Sequence, residues 1–435
     1  MQIIKYPEQR DWKEILQRPT FDNASLQKKV KNVLNDVKEN GDTAVFKYTQ
    51  QFDDVALETF AVTEAEIQEA VTLLSEELKQ AIQTAADNIS NFHKKQLQQP
   101  EIIETMPGIH CWRKSVGIEK VGLYIPGGSA PLFSTILMLA IPAKIAGCKE
   151  IILCSPPNKE GKLHPAILYA AQLTGVTKNF KAGGVQAIGA MAYGTTTVPQ
   201  VYKIFGPGNQ YVTCAKQLIQ QDGIAIDMPA GPSEVCVLAD ETANEKFIAA
   251  DLLSQAEHGP DSQVLLVSTD WSLIRRVEVE LDEQLDLLPR KDFAALALNN
   301  SKAILVKDTD EAIALVNEYA AEHLIISCNN DEAIAEQITN AGSVFLGNYS
   351  PESVGDYASG TNHTLPTNGY ARMYSGVSVD SFVKKITYQK LTQDGLQQIS
   401  SAVIAMAEAE GLDAHANAVK VRMVLGEDRS LEEKR

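Results

Sequence analysis

Apolar and polar positions along the chain predict helices first and strands later. From Asn23 to about Gln99 the apolar residues recur every three or four positions, which is the period of an α-helix. One helix is predicted to open at Thr63, because Thr63 and Glu66 have the spacing of a capping box. Its apolar face is predicted to continue through Ile67, Ala70, Val71, Leu74, Leu78 and Ile82. We therefore expect a helical N-terminal region with a structural role.

Strand-like and helix-like segments alternate between about Val116 and Asp222. The strand-like segments are VGLYI, EIILC, NFKA and YKIF, and each is followed by a helix-like segment. A second alternation has strands EVCVLA, QVLLVS, AILV, LIISC and SVFL, with helices near 243–257, 271–287, 309–320 and 331–341. Such βα repeats are typical of parallel sheets. The predicted fold class is α/β, with two Rossmann-like parallel-sheet domains, a helical N-terminal region and a C-terminal helical tail.

The C-terminal tail has a different pattern. From Val377 onward the residues favour helices, with no strand and little apolar core of their own. We expect the tail to pack on something else, and another subunit is one candidate.

Composition and charge narrow the class of protein. Hydrophobic residues make up 44% of the 435 positions, as in ordinary globular proteins. The net charge of -17, without a basic run, disfavours nucleic acid as a partner. The first residues lack a secretory signal, and the most apolar stretch is interrupted well short of the roughly 20 residues that span a membrane. We expect a cytoplasmic protein with a small-molecule partner, no nucleic acid and no membrane segment.

Three glycine-rich loops follow strands of the first repeat. The carboxyl ends of parallel strands share one edge of a sheet, so these loops are expected to converge. Their backbone N–H groups could hold phosphates, although neither GxGxxG nor a P-loop motif is present. Taken singly, each glycine could merely make a tight turn. Together they predict a ligand site, and a nucleotide is a candidate; the glycines are Gly127, Gly128, Gly183, Gly184, Gly206 and Gly208.

Polar residues cluster at the end of a predicted helix in LLSQAEHGPD. Gln255 and His258 are three positions apart and so share a helix face, while a second capping box at Thr242 and Glu245 marks the helix start. Local evidence favours His258 as a partner of the helix dipole over a metal ligand. Two polar stretches carry further histidines and acids: 350–370, which has the composition of one long loop, and 407–419, near a helix junction. A divalent-metal site is possible only if these segments meet.

Glu322 and His323 stand directly before a buried strand. Adjacent residues in a regular strand face opposite sides, so the two could share a pocket only if the chain is irregular there. The imidazole suits proton abstraction and the carboxylate could activate water. An ordinary polar strand end is the equal alternative.

Several long motifs together resemble the L-histidinol dehydrogenase family, zinc enzymes of histidine biosynthesis. They occur in one order from about residue 110 to 420. The stretches that carry the resemblance are VGLYIPGGSAPLFSTILMLAIPAKIAGC, GGVQAIGAMAYGT, KIFGPGN, AIDMPAGPSEV, DLLSQAEHGPDSQV, EHLI, AGSVFLG, SPESVGDYASGTNHTLPT and EGLDAHANAV.

The resemblance implies a role for each matching residue. It implies one zinc ion per subunit, with the ligands Gln255, His258, Asp356 and His415. It implies Glu322 and His323 as the acid/base residues, and NAD contacts from Tyr124, Gln186 and Asn209. The implied substrate contacts are Ser233, Gln255, His258, His323, Asp356, His363, Glu410 and His415.

The resemblance also implies the reaction and the assembly. L-histidinol would be oxidised to the aldehyde and then to L-histidine, with two NAD, in a homodimer whose tail completes the partner's site. The implied segments are an N-terminal extension 1–20, a larger metal and catalytic domain 21–123 plus 234–376, an NAD-contacting domain 124–233 and a helical tail 377–435. A dehydrogenase of another amino alcohol, a zinc hydrolase and a non-catalytic metal-binding protein remain alternatives, and the ligand set admits manganese as well as zinc.

Overall fold

The computed structural model of the protein describes residues 1–19, 23–127, 131–229 and 231–432. The strands within these ranges are β1 Gln2–Lys5, β2 Ile102–Met106, β3 Ile109–Gly117, β4 Lys120–Tyr124, β5 Glu150–Ser155, β6 Lys178–Lys181, β7 Lys203–Phe205, β8 Ala225–Ile226, β9 Glu234–Ala239, β10 Gln263–Ser268, β11 Lys302–Leu305, β12 His323–Ser327, β13 Ser343–Leu346 and β14 Val383–Leu391. None of the described helices is long and apolar enough to cross a membrane.

The α-helices between β4 and β13 mostly follow the predicted alternation, although the helix over Lys291–Asn299 and the short strand β8 were not predicted. They are α1 Trp12–Ile15, α2 Asn23–Asn40, α3 Asp42–Asp53, α4 Glu64–Leu73, α5 Glu76–Lys94, α6 Phe133–Ala146, α7 Pro165–Thr174, α8 Gly184–Tyr193, α9 Gln210–Ile219, α10 Glu245–Ala256, α11 Trp271–Leu285, α12 Lys291–Asn299, α13 Thr309–Tyr319, α14 Asp331–Ala335, α15 Glu352–Tyr357, α16 Gln393–Ala409 and α17 Asp413–Glu432.

Two compact units make up the chain. The first contains Met1–Gln96 and Ile118–Phe382, and the second contains Leu97–Gly117 and Val383–Arg435. Both parallel sheets belong to the first unit, whereas the second unit has one small antiparallel sheet followed by two helices.

The two parallel sheets have the same strand order. The first runs β6-β5-β4-β7-β8, and the second runs β11-β10-β9-β12-β13 with β1 added beside β11. Every pairing in both sheets is parallel. The chain reverses direction across each sheet between its first and fourth strands, which is the Rossmann-type switch point. The predicted α/β fold with two similar parallel-sheet units is confirmed.

The central strands of these sheets are apolar because helices cover both faces. Every residue of β9, β10 and β12 is buried, and Val, Ile and Leu dominate the three strands. A parallel sheet covered on both faces needs such continuous apolar runs rather than alternation.

The N-terminal helices pack on the helices of the first sheet. α2 contacts α8 and α9, α4 contacts α7, and α5 contacts α6. Their apolar faces share the clusters that also contain the strands of the first sheet. The predicted domain limits remain a prediction, but this packing favours grouping the helices with the first sheet rather than with the second.

The helix predicted to run through Leu74 is two helices. The capping box at Thr63 is confirmed, and it opens α4. α4 ends at Leu73, Leu74 adopts an extended conformation, and Ser75 caps α5 by accepting a hydrogen bond from the Leu78 N–H. The prediction of one helix was wrong because the apolar period continues across a break that Ser75 stabilises.

The prediction of a tail without a strand was also wrong. β14 pairs antiparallel with β3 along its whole length, and Trp112 stacks on Tyr388 across the pair at 5.4 Å between ring centroids. Both faces of β14 are largely exposed, so its residues lack the alternation that signals a strand. Its partner also lies far away in sequence, which hides the pairing from any local pattern.

Candidate active site

The glycine-rich loops of the first sheet meet at its switch point. Tyr124 ends β4, and Gly206 follows β7, its neighbour in the sheet. Gly206 has a φ of 129°, and a Cβ there would lie 2.0 Å from the Tyr124 carbonyl oxygen. Lys216 donates to the Gly206 carbonyl oxygen at 2.8 Å and pairs with buried Asp227, which accepts from the Gly206 N–H at 2.8 Å. A buried ion pair therefore holds this loop against β4.

Other glycines of the loops are required by packing. A Cβ on Gly127 would lie 2.2 Å from Pro156, and one on Gly183 would lie 2.5 Å from it. Gly208 is similarly close to Val212. Gly128, the remaining glycine of the first loop, lies outside the described residues. These glycines do more than make tight turns, because they bring three loops together at the carboxyl edge.

The residues predicted to contact NAD all lie at this edge. The Tyr124 hydroxyl accepts a hydrogen bond from the Gly184 N–H at 3.0 Å. Gln186 is fully buried, and among the described residues neither atom of its amide has a hydrogen-bond partner. Asn209 caps α9 and accepts from the Tyr211 N–H at 3.0 Å. An unpaired buried amide at a switch point is a suitable place for a ligand.

A second group of polar residues collects at the amino ends of β9 and β12. β12 begins at His323, and Glu322 lies in a bend before it. Ala320, with a φ of 53°, turns the chain just upstream. The Glu322 carboxylate oxygen Oε2 therefore lies 3.7 Å from His323 Nδ1. The chain is irregular in the way that a shared pocket requires.

The predicted ligands of the first unit reach the same place. Gln255 is fully buried in the last turn of α10, and His258 follows the helix and is exposed. His258 Nδ1 lies 3.3 Å from the Ser233 hydroxyl oxygen, just before β9. Asp356 Oδ1 lies 3.3 Å from His323 Nε2. Four segments that are far apart in sequence thus converge around the imidazole of His323.

His363 joins this group from the segment after α15. Its Nδ1 lies 2.8 Å from the Asp356 carbonyl oxygen, and its Nε2 lies 3.1 Å from the Thr135 hydroxyl oxygen. A carbonyl oxygen only accepts, so Nδ1 carries the proton and Nε2 accepts from Thr135.

Glu410 and His415 are in the second unit. Glu410 caps the C-terminus of α16, and His415 is in the first turn of α17. Both side chains are exposed. The first unit alone thus supplies three of the four predicted zinc ligands: Gln255, His258 and Asp356.

Two local predictions around these residues were wrong. α10 is capped by Asn244, which accepts from the Lys246 N–H at 2.9 Å, and not by a capping box at Thr242. Thr242 instead donates to Asp240 in the preceding turn. The stretch 350–370, predicted as one long loop, contains α15, and Asp356 is part of that helix.

Glu352, at the start of α15, is a site residue that the sequence reasoning missed. It is almost fully buried, and its Oε1 accepts from the Ser254 hydroxyl at 2.6 Å and from the Gln255 amide at 3.1 Å. Its Oε2 has no hydrogen-bond partner among the described residues and lies 4.0 Å from His323 Nδ1. The i, i+4 spacing from Asp356 was the available signal, but it is informative only once the helix is known.

Burial and mutual charge shift the pKa values of these groups. Burial raises the pKa of Glu322 and that of Glu352 to about 8 each. Burial disfavours the charged form of His323, but the carboxylates of Glu322 and Asp356 outweigh it and raise its pKa to about 10. The pocket therefore gathers three carboxyl groups around one imidazole, and a bound cation would offset the burial that opposes their ionisation.

The donors in this pocket suit a zinc ion whose coordination also needs ligands from outside the pocket. No set of three His, Cys, Asp or Glu side chains that could hold a metal occurs within the part of the chain that the structure describes. One predicted ligand is the amide of Gln255, and another, His415, belongs to the second unit. Asp356 Oδ1 is buried without a hydrogen-bond partner among the described residues. Amide oxygen, imidazole and carboxylate donors suit Zn²⁺ and also Mn²⁺.

Known proteins with high sequence identity to this chain belong to one family. The sequence model of the family described as histidinol dehydrogenase matches residues 16–423. The histidinol dehydrogenase of Bacteroides thetaiotaomicron is 60% identical over 423 residues, which cover 97% of this chain and 99% of that protein. That of Xanthomonas euvesicatoria is 54% identical over 392 residues, covering 90% and 91%. The crystal structure of histidinol dehydrogenase from Elizabethkingia anophelis has a TM-score of 0.96 and 55% identity and covers 99% of both chains.

Proposed function

The chain belongs to the histidinol dehydrogenase family, and we propose that it oxidises L-histidinol to L-histidinaldehyde and then to L-histidine, with NAD as the hydride acceptor in both steps. It is an oxidoreductase of histidine biosynthesis. The observation that carries the mechanism is the convergence of Glu322, His323 and Asp356 in one buried pocket.

His323 is the base of the first oxidation. Its neutral imidazole takes the proton of the substrate hydroxyl while the carbon gives a hydride to NAD, which leaves the aldehyde. Tyr124, Gln186 and Asn209 hold NAD at the carboxyl edge of the first sheet. Ser233, His363 and the partner's Glu410 contact the substrate.

Glu322 activates water for the second oxidation. Its carboxylate takes a proton from water as the oxygen adds to the aldehyde carbon. The imidazolium of His323, formed in the first oxidation, returns its proton to the aldehyde oxygen, so the product is a hydrate and His323 is neutral again. His323 then removes a hydroxyl proton from the hydrate, and a second NAD accepts the hydride to leave L-histidine. The raised pKa of Glu322 suits a group that must take up a proton near neutrality. A closed pocket keeps the aldehyde from solvent between the steps.

The metal would be held by Gln255, His258 and Asp356 of one subunit and by His415 of the partner subunit. When bound, zinc would orient histidinol through its imidazole and amino nitrogens and, by its charge beside Asp356, favour the neutral form of His323. The buried Asp356 Oδ1, which faces His323 Nε2 at 3.3 Å without a well-aligned hydrogen bond, supports this ligand set.

We further propose a homodimer in which each tail completes the other subunit's site. The second unit exposes several large apolar side chains, and their burial against a partner subunit would be favourable. These include Ile102, Ile103, Met406, Leu412 and Val421. The cytoplasmic location remains a prediction from the sequence.

The substrate is tested by supplying NAD, zinc and a panel of amino alcohols and following NADH. We expect turnover with L-histidinol. Aliphatic amino alcohols, which lack the imidazole ring, should be oxidised at least about 100-fold more slowly, because they leave buried polar groups of the site without a partner. Faster turnover of another amino alcohol would favour a related dehydrogenase. Absence of NADH with every alcohol would contradict the proposal and favour a hydrolase or a binding protein.

A further inference from the structure

Arg18 lies in the segment that the sequence assigned to an N-terminal extension, yet its side chain reaches β9. Its guanidinium donates to both carboxylate oxygens of Glu234, at 2.5 and 2.8 Å, and the two side chains are only 14% and 2% exposed. It also donates to the Tyr319 carbonyl oxygen at 2.7 Å, and its Cζ lies 4.2 Å from the centroid of the Tyr319 ring. A buried, two-pronged ion pair of this kind fixes the position of both partners.

Glu234 contacts both catalytic residues through its main chain. Its N–H donates to Glu322 Oε2 at 2.9 Å, and its carbonyl oxygen lies 3.3 Å from His323 Nδ1. Its carboxylate also accepts from the Asn368 N–H at 2.8 Å, in the segment that carries His363. Glu234 therefore connects the N-terminal segment, β9, the catalytic pair and the substrate segment.

We propose that Arg18 is a positioning residue for the second oxidation, because through Glu234 it holds the Glu322 carboxylate where that group activates water. The inference depends on the proposed function, in which Glu322 acts only on the aldehyde. It assigns a role in the reaction to an N-terminal residue that touches neither the substrate nor NAD.

Loss of Arg18 disturbs Glu322 more than His323. His323 is the first residue of β12, which is paired with β9 on one side and with β13 on the other, so the sheet holds His323 in position. Glu322 lies in the bend before the strand, and the shortest hydrogen bond to its carboxylate comes from the Glu234 N–H, at 2.9 Å. Glu234 is the first residue of β9, and β12 pairs with β9 only from Val235 onward, so without the ion pair the main chain of Glu234 is freer to move on that side. A displacement of about 1 Å at a reacting group costs on the order of 100-fold in rate.

The test compares Arg18→Met and Arg18→Lys with the control Arg10→Met. Arg10 belongs to the same N-terminal segment, but its guanidinium is 76% exposed and pairs only with surface acids. Each purified full-length enzyme is loaded with zinc and given L-histidinol and NAD, with semicarbazide present to trap released aldehyde. The readouts are NADH formed per histidinol consumed, trapped aldehyde, thermal melting, and recovery on adding millimolar guanidinium to Arg18→Met.

The inference predicts about two NADH per histidinol for the wild type and for Arg10→Met, and a ratio falling toward one, with trapped aldehyde, for Arg18→Met. Guanidinium should restore the ratio. The ratio for Arg18→Lys should lie between those of Arg18→Met and the wild type, because lysine keeps the charge but cannot donate two parallel hydrogen bonds to the carboxylate. An unchanged ratio in both Arg18 variants contradicts the inference, even if they melt early, since a structural role alone lowers both steps together. Should Arg18→Met fail to fold, Arg18→Lys decides. Absence of NADH in the wild type would refute the proposed function instead.

Discussion

Glu352 is the buried acid that most directly supports a predicted metal ligand. It accepts from the Gln255 amide N–H₂ group, which fixes the orientation of the amide. The amide oxygen then accepts from the Glu234 N–H at 3.1 Å, and its second lone pair is available to a metal. Groups that orient a ligand from behind are typically worth 10- to 100-fold in metal affinity. We expect Glu352→Gln to weaken zinc binding by about that factor, measured by competition with a chromogenic chelator.

The control for this variant is Glu257→Gln. Glu257 follows Ala256 at the end of α10, has the same charge and lies beside His258, but no role in the site is assigned to it. It therefore reports the effect of removing one negative charge near the pocket. Equal weakening in the two variants, or no weakening in Glu352→Gln, would refute the orienting role.

Asp53 gives a pH-dependent prediction away from the metal pocket. Its Oδ2 is buried without a partner among the described residues, and burial raises the pKa of the carboxyl to about 6. The unfolded value is about 3.9, so the folded state binds more protons between about pH 4 and pH 6. Stability therefore falls as the pH rises through that window and stays low above it. Asp53→Asn should stabilise the protein at pH 8 by about 1 kcal/mol after allowance for solvent screening, and little near pH 4.

Urea unfolding at the two pH values measures this difference. Asp54→Asn is the matched control, because Asp54 is the exposed neighbour and its left-handed backbone accepts asparagine. Stabilisation of equal size at both pH values, or destabilisation at pH 8, is the outcome that the burial argument does not allow.

Single site residues could be predicted only in part from the sequence. Local pattern alone favoured His258 as a helix-dipole partner, and only the family resemblance linked it to Asp356 and His415. Glu352 was missed because α15 was predicted as loop, and without the helix its spacing from Asp356 has no meaning. The Glu234 contacts could not be predicted, since they join segments that come together only when both sheets have formed.

At the scale of elements, the switch point of the first sheet depends on Gly206. Alanine there requires a φ of 129° and a contact of 2.0 Å with the Tyr124 carbonyl oxygen. We expect Gly206→Ala to lower the free energy of unfolding by about 2 to 4 kcal/mol, combining backbone strain with overpacking. Urea unfolding measures the loss.

Gly223→Ala separates the two causes. Gly223 also has a left-handed φ, 88°, but nothing lies within 4 Å of a Cβ placed on it. It should cost about 1 kcal/mol from strain alone. Similar losses in both variants would mean that the close approach of the loop to β4 contributes nothing.

The parallel strands were predictable because burial on both faces gives continuous apolar runs that differ from their surroundings. β14 was not, since both of its faces are largely exposed and its partner β3 comes much earlier in the chain. The break between α4 and α5 was hidden for a related reason: the apolar face continues across it, and a single serine sets the boundary. Elements defined by burial were therefore found, and those defined by one hydrogen bond or a distant partner were missed.

At the scale of the whole molecule, the proposed dimer predicts complementation between two inactive chains. His258→Ala removes a ligand from the first unit, and His415→Ala removes one from the second. If tails are exchanged, a mixed dimer has one site with both changes and one site with neither. We expect each variant alone to be nearly inactive and co-refolded mixtures to regain up to about one quarter of wild-type activity, since about half of the dimers are mixed and each has one intact site.

A mixture of His258→Ala with Asp356→Ala is the control. Both ligands belong to the first unit, so every site in a mixed dimer keeps one of the two substitutions even when the tails are exchanged. It should regain nothing. Equal activity in the two mixtures, or none in the first despite mixed dimers, would indicate sites built within one chain.

The central claim is that one pocket carries out two oxidations, with His323 acting in both and Glu322 only in the second. The most direct measurement is the number of NADH molecules formed per L-histidinol consumed, in the wild type and in Glu322→Gln. The account predicts two for the wild type, and a value approaching one for Glu322→Gln with the aldehyde as the trapped product. One NADH per histidinol in the wild type, or an undiminished two in Glu322→Gln, would contradict it.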